Sequence, residues 1–140
     1  KEGKLEFAWQ TSWGVSTRMV GALIMAHSDD KGLVLPPMVA PIHSVIVPIF
    51  KDETGKEQVM PVANKITEEL KAKGLSIELD NRDHMTMGEK IYGWEKKGVP
   101  VRIELGARDL AKNEAVVARR DTPVEKLKRN LIAPESPMLP

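Results

Sequence analysis

The sequence predicts an α/β fold, a mostly parallel sheet covered by helices on both faces. Three observations predict it. Ser44–Phe50 (SVIVPIF) is a β-branched run with apolar residues at both parities, as in a strand buried between two layers. Val101, Ile103 and Leu105 alternate with Arg102 and Glu104, the period of a strand. Val59, Val62, Ile66 and Leu70 recur at helical spacing between those two runs. Strands separated by helices of this length return by crossovers, which favour parallel pairing.

Composition narrows the function classes. With 140 residues the chain can bury one ordinary core. It is 41% hydrophobic and 29% charged, which is globular rather than disordered. Lysine and arginine number 21 against 20 acidic residues, a net charge of +1. Bulk charge therefore gives no reason for nucleic-acid binding, which must come from a local patch. There is no cysteine, hence no disulfide, thiol nucleophile or cysteine-ligated zinc. His27, His43 and His84 are too dispersed for a metal motif. The apolar run Val20–Ala26 is too short to span a bilayer, and no signal-peptide pattern opens the chain. Cytoplasm is the default expectation. The first residue is lysine, so the natural start is expected to lie upstream.

The elements follow in order. Lys4–Trp9 is expected as strand, and Gln10–Arg18 as its continuation or a turn. Arg18–His27 is apolar nearly all round, a helix that belongs inside something larger. Ser28–Gly32 is a polar turn. Leu33–Pro41, with three prolines, is extended or turning and serves as a linker. In the strand Ser44–Phe50, Pro48 fits only near a strand end. Lys51–Gln58 reads as a charged loop, with a helix from Val59 that carries Pro61 near its start and stops at Gly74. Leu75–Leu79 is a half-buried strand, Asp80–Gly88 a charged loop and Glu89–Lys97 a short helix ended by Gly98. Val101–Leu105 is a strand, Gly106–Asn113 a loop or single helical turn, and Glu114–Arg119 a strand. Thr122 and Glu125 spell a capping box with Pro123 at the first helical position. They predict a last helix with Val124, Leu127 and Leu131 on one face. Ala133–Pro140 is a proline-rich linker.

Ligands of parallel sheets bind beyond the carboxyl ends of the strands. Those ends carry Lys51-Asp52-Glu53, Asp80-Asn81-Arg82-Asp83 and Gly106-Ala107-Arg108-Asp109. An arginine fork matches guanine O6 and N7, and a carboxylate accepts from the guanine N1 and N2 donors. Unpaired RNA loops offer such edges freely. The same charges could instead cap helices or pair with one another. Trp94 and Met87 read as core rather than as stacking surface, and His84 as a solvated loop residue. In Trp13-Gly14-Val15-Ser16-Thr17-Arg18 the glycine allows close backbone approach, and Arg18 could lie on an aromatic ring such as adenine. A Ser-Thr-Arg tripeptide is more often an ordinary helix start.

Two long stretches resemble a known family. Thr11–Pro41 (TSWGVSTRMVGALIMAHSDDKGLVLPPMVAP) is similar to the third class II motif of the prolyl-tRNA synthetases and the link after it. Leu79–Leu110 (LDNRDHMTMGEKIYGWEKKGVPVRIELGARDL) is similar to the middle of their anticodon-binding domain. The likeness runs from about Phe7 to Ile132. It implies residues 1–42 as the end of a catalytic domain plus linker, 43–133 as an anticodon-binding domain with a mixed, mostly parallel five-stranded sheet, and 134–140 as a linker onward. It implies an enzyme that activates proline with ATP and Mg2+ and attaches it to tRNA(Pro), as a homodimer. By that resemblance Arg18 packs on adenine, Ser16 and Gln10 touch ATP, and Trp13 and Gly14 line the proline pocket. Arg82, Asp83 and Lys90 match the region that reads the two anticodon guanines, with Arg102, Glu104, Arg108 and Asp109 nearby.

There are departures. The family usually has proline where Met87 and Ala107 stand, which should loosen two rim loops by about 0.4–1 kcal/mol each. The first two class II motifs and the zinc-like C-terminal domain of one branch are absent from this sequence. The chain is therefore expected not to aminoacylate alone. Two other readings stay open: a free-standing anticodon-domain relative acting as an interaction module, and a small nucleotide-binding protein using Trp13–Arg18.

Overall fold

In the computed structural model residues 3, 5–122 and the backbone of 126–130 are described. The first elements are the helix α1 (Arg18–Ala26) and a two-stranded hairpin, β1 (Ser28–Asp29) and β2 (Gly32–Leu33). Then come β3 (Ser44–Ile49), α2 (Glu53–Ala72), β4 (Ile77–Leu79), α3 (Met87–Lys96), β5 (Val101–Gly106), α4 (Ala107–Leu110), β6 (Glu114–Arg119) and β7 (Lys126–Asn130). The last five strands build one sheet in the order β4-β3-β5-β6-β7. β3 pairs in parallel with β4 and β5, while β6 is antiparallel to both β5 and β7. The sheet is mixed, as expected, with half its pairings parallel.

The two parities of β3 serve two cores. Ile46 packs with Val59 and Ala63 of α2, Ile77, Leu105 and Ala115, and α4 adds Ala107 and Leu110. Val45 and Val47 face the other way, with Trp94 of α3 and Val99. Ile46, Val45, Val47, Val59 and Leu105 are fully buried; each contributes about 1.5–3 kcal/mol through its lost contact with water. Helices thus cover both faces, and the charged loops are left at the strand ends.

Pro48 sits inside a strand with neighbours on both sides, where a missing N–H is normally excluded. The register explains it. The Ile46 carbonyl accepts from the Asp80 amide at 2.9 Å, so residues 46 and 48 turn their backbone groups toward β4. β4 reaches only Ile46 in the pairing, so the absent donor of Pro48 faces a gap. That gap is the start of a cleft described below.

Four expectations are corrected. Leu5–Trp9 forms no strand, and the segment through Ser16 is irregular and exposed (Lys4 is outside the described residues). α1 forms as read, but none of its residues is buried; Met19, Val20, Ile24 and Met25 face solvent. α2 begins at Glu53 rather than Val59, because Asp52 caps it with Oδ1 accepting from the Gly55 amide at 2.8 Å. Pro61 therefore lies inside the helix. The expected last helix is replaced by β7, which pairs along β6 from Lys126 to Asn130. Pro123, Val124, Glu125, Leu131 and the linker from Ala133 lie outside the described residues.

Met87 and Ala107 are each the first residue of a helix, after Thr86 and Gly106 in extended conformation. The rim loops keep both helices without the family prolines. Proline suits that first position, where its missing N–H has no helical partner. Met87→Pro is expected to raise stability by about 0.4–1 kcal/mol through the unfolded chain; urea midpoints of the two proteins measure it. Because Arg18 is exposed on α1, Arg18→Ala should leave the melting temperature of the sheet domain within a degree or so, about the scale of surface substitutions. A calorimetric scan checks this.

Candidate anticodon-reading site

The carboxyl ends of β3, β4 and β5 form one rim. Two clefts open there, divided by Ile49 and Phe50. One is lined by Pro48, Asp83, Met85, Met87 and Lys90, the other by Lys51, Asp52, Gly55, Gly106, Arg108 and Asp109. Across the first, Lys56 Nζ of α2 lies 3.0 Å from Asp83 Oδ2 and 5.8 Å from the Phe50 ring centre. This pair ties the β4–α3 loop to the start of α2. Thr86 and Glu89 form a reciprocal capping box at α3, with the Thr86 amide donating to Glu89 at 2.7 Å. The spacing Thr86-x-x-Glu89 is the sequence signature of that box.

Asp80 is the centre of the rim. Its side chain is fully enclosed, and four donors converge on it. Oδ1 accepts from Arg82 Nε at 2.8 Å and from the Arg82 amide at 3.3 Å. Oδ2 accepts from Arg82 Nη2 at 2.5 Å and from the Trp94 indole Nε1–H at 2.6 Å. Lys90 Nζ reaches the Asp80 carbonyl at 3.4 Å. Arg82 Cζ stands 5.5 Å from the Trp94 ring centre, and Lys97 Nζ stands 4.3 Å from it. Trp94 is core, as expected, yet it also holds two cations by its π face. Met87 is not core; it is partly exposed beside the cleft.

Arg82 and Lys90 therefore meet at one residue, Asp83 stands beside them, and Arg108 and Asp109 line the neighbouring cleft. Lys90 is itself buried, so only its cleft-facing surface is available. Arg102 and Glu104 are elsewhere. Both are buried on the α3 face of β5, with Arg102 Nε 3.0 Å from Glu104 Oε1 and Nη1 3.1 Å from Glu95 Oε1. Alternation along β5 sends them into the interior, where their charges hold α3 to the sheet. Neither lines either of the two rim clefts. Asp80, Trp94, Lys56 and Phe50 were missed as site residues. For Asp80 the signal was its place directly after β4, two residues before an arginine.

Charge at Asp80 has a pH consequence. Burial works to raise its carboxyl, but the Arg82 guanidinium, the Trp94 indole and the Arg82 amide hold it at about 2, against an ordinary 3.8. A carboxyl lowered on folding stabilises the fold above its unfolded value and loses that contribution as pH falls through the folded one. The gap corresponds to about 2 kcal/mol, present above about pH 4 and lost toward pH 2. Urea unfolding from pH 7 to pH 2 should show this fall, and the Asp80→Asn protein should show less of it.

Gln10, Trp13, Gly14, Ser16 and Arg18 are all exposed, with Trp13 at 96%. By themselves they enclose no ATP or proline pocket. Among the described residues no three acidic or histidine side chains gather to hold a metal, and no helix is long and apolar enough to cross a membrane.

A mixed sheet with helices on both faces and ionic loops at its carboxyl rim defines an α/β binding domain. The chain belongs to the anticodon binding domain family, whose sequence signature matches residues 43–132. Similar proteins include the proline–tRNA ligase of Christiangramia forsetii, 54% identical over 122 residues, and proline–tRNA ligase 2 of Clostridioides difficile, 55% identical over 122 residues. Each comparison covers 87% of this chain and 25% of the relative. A chloroplastic/mitochondrial proline–tRNA ligase of Arabidopsis thaliana is 50% identical over 123 residues, covering 88% of this chain and 23% of that protein. Among solved structures, Giardia lamblia prolyl-tRNA synthetase in complex with prolyl-adenylate superposes with a TM-score of 0.74 at 43% identity, covering 82% of this chain and 24% of that one. The chain spans about a quarter of the length of these relatives. Its match is to the anticodon-binding part of prolyl-tRNA synthetases.

Proposed function

We propose that this chain reads the anticodon of tRNA(Pro) as part of a proline–tRNA ligase. In that protein proline is activated with ATP and Mg2+ and attached to the tRNA, in a homodimer working in the cytoplasm. The observation that carries the reading is the convergence of Arg82 and Lys90 on Asp80 at the carboxyl end of β4, where Lys90 and Asp83 line a cleft. Residues 43–133 are the reading domain, 1–42 the end of the catalytic domain with its linker, and 134–140 a linker onward. Gln10, Ser16 and Arg18 would then contribute to the ATP site, and Trp13 and Gly14 to the proline pocket, once the rest of the ligase encloses them. Their exposure here accords with that division. The 140-residue chain alone is expected not to charge tRNA.

The test is a titration of the chain with the tRNA(Pro) anticodon stem-loop and with the same stem-loop carrying adenines in place of both guanines. Tighter binding of the first, by roughly tenfold to a thousandfold for one or two good base contacts, supports the reading. Equal affinities reject it in favour of an interaction module without RNA.

A further inference from the structure

Resting on that reading, we propose that Asp80 is a positioning residue for anticodon discrimination. Its buried carboxylate, seated on the Trp94 indole N–H, grips one edge of the Arg82 guanidinium and leaves the other edge to read a guanine.

Donor arithmetic carries the argument. A guanidinium has five N–H donors on a planar fork with two bidentate edges, a side edge (Nε with Nη2) and an end edge (Nη1 with Nη2). Asp80 takes the side edge, with Oδ1 at 2.8 Å from Nε and Oδ2 at 2.5 Å from Nη2. Nη1 makes no hydrogen bond among the described residues, and 36% of the Arg82 side chain is exposed. The end edge is therefore available to an outside pair of acceptors spaced like guanine O6 and N7. A long arginine side chain ordinarily loses rotamer freedom when it binds a base. Here that loss is already incurred on folding, because Arg82 is held at three points: its amide on Oδ1, its side edge on both oxygens, and its plane near the Trp94 ring.

Asp80 is itself immobile. Its amide donates to the Ile46 carbonyl at 2.9 Å, which fixes it to the central strand. Its second oxygen is held by the Trp94 indole at 2.6 Å. The carbonyl that receives Lys90 is backbone and survives any substitution of the side chain. Removing only the carboxylate charge should thus leave Lys90 in place and release Arg82, which separates the positioning role from the general attraction of cations for phosphate.

The experiment uses the 140-residue chain, the tRNA(Pro) anticodon stem-loop and its double-adenine counterpart. Asp80→Asn is expected to weaken binding of the guanine stem-loop roughly tenfold to a hundredfold, the worth of one bidentate base contact. Binding of the adenine stem-loop should change less than about twofold, since backbone attraction is indifferent to base identity. Val59→Ala, which lowers stability at a buried α2 residue that lines neither cleft, should leave the ratio of the two affinities as it is. Asp80→Asn should also change the Arg82 side-chain Nε–H resonance, as the charge-assisted, two-oxygen grip is lost. A folded Asp80→Asn protein that keeps the wild-type ratio overturns the inference while the anticodon reading stands. A wild-type chain that does not distinguish the two stem-loops overturns both. Should Asp80→Asn fail to fold, Trp94→Phe keeps an aromatic ring at the position and removes the indole donor. A fall in the ratio of threefold or more supports the inference, and an unchanged ratio rejects it.

Discussion

Replacing Asp80 by alanine is expected to lower the stability of the sheet domain by about 3 kcal/mol. The residue looks unremarkable in sequence, one acid in a run of charges. In the structure its side chain is wholly enclosed and receives the Arg82 fork and the Trp94 indole. Breaking a buried ion pair from one side costs about 3–5 kcal/mol, because the remaining charge has no partner. Arg82 keeps 36% of its side chain in water, so its charge can turn outward, which puts the loss at the low end of that range. The Trp94 donor cannot turn outward; an orphaned buried N–H costs about 1–3 kcal/mol. Urea unfolding followed by tryptophan fluorescence measures the total. A double variant with Trp94→Phe should lose less than the sum of the two single losses, since both remove the same bond. A loss under about 1 kcal/mol would show that Asp80 is not the anchor of the rim.

The parts of the fold that were legible in the sequence are those where local pattern and tertiary environment agree. β5 alternates because Ile103 and Leu105 join the core under α2 while Arg102 and Glu104 turn to the α3 face, and Gly98 ends α3 with a positive φ that a glycine adopts without strain. The failures came where two signals competed. At α2 the charged run Lys51–Gln58 suggested a loop and Pro61 a helix start after it, yet Asp52 supplies a cap and the burial of Val59, Ala63 and Thr67 stabilises the helix through its proline. At the end of the chain, a capping-box spelling and helical spacing outweighed a shorter alternation in Lys126–Asn130. The open edge of β6 decides that contest, because a strand there satisfies a row of backbone donors and acceptors that a helix would leave exposed.

The candidate site was legible by position and not by connection. The rule that ligands meet parallel sheets at their carboxyl ends located Arg82, Asp83, Arg108 and Asp109. It could not say that Arg102 and Glu104, four and two residues before the end of β5, point inward and pair. Nor could it show that Arg82 divides its donors, because Trp94 is fourteen positions from Asp80 and joins it only through packing. Charge in a sequence reports what can ionise; the sheet decides which partner each charge meets.

The join between linker and domain carries the second large effect. Gly98 ends α3 at φ 72°, and a methyl group there would lie 2.5 Å from Leu33 Cβ and 2.7 Å from the Leu33 carbonyl oxygen. Gly32, opposite, has its missing Cβ 2.5 Å from the Lys96 Cα. Two backbones thus touch where side chains would keep them apart. The contact is secured by Arg120, which is buried and donates to Asp29 Oδ2 at 2.8 Å, to Asp29 Oδ1 at 2.5 Å and to the Glu95 carbonyl at 3.0 Å. The Arg120 guanidinium holds the Asp29 carboxyl well below the usual carboxylate range. Gly98→Ala meets both difficulties together: a left-handed backbone that costs a side chain about 1–3 kcal/mol, and overpacking that costs about 1–3 kcal/mol more. A loss of about 3 kcal/mol is expected, and it should not spread evenly. The β1–β2 hairpin can lift from α3 while the two cores on either side of β3 remain intact. Hydrogen exchange should therefore quicken at Val34 and Leu35, whose amides bond to His27 and Gly98, before it quickens in β3. Uniform quickening across the sheet would show instead that the hairpin and the domain unfold as one unit, and unchanged protection at Leu35 would show that the hairpin is not docked in solution.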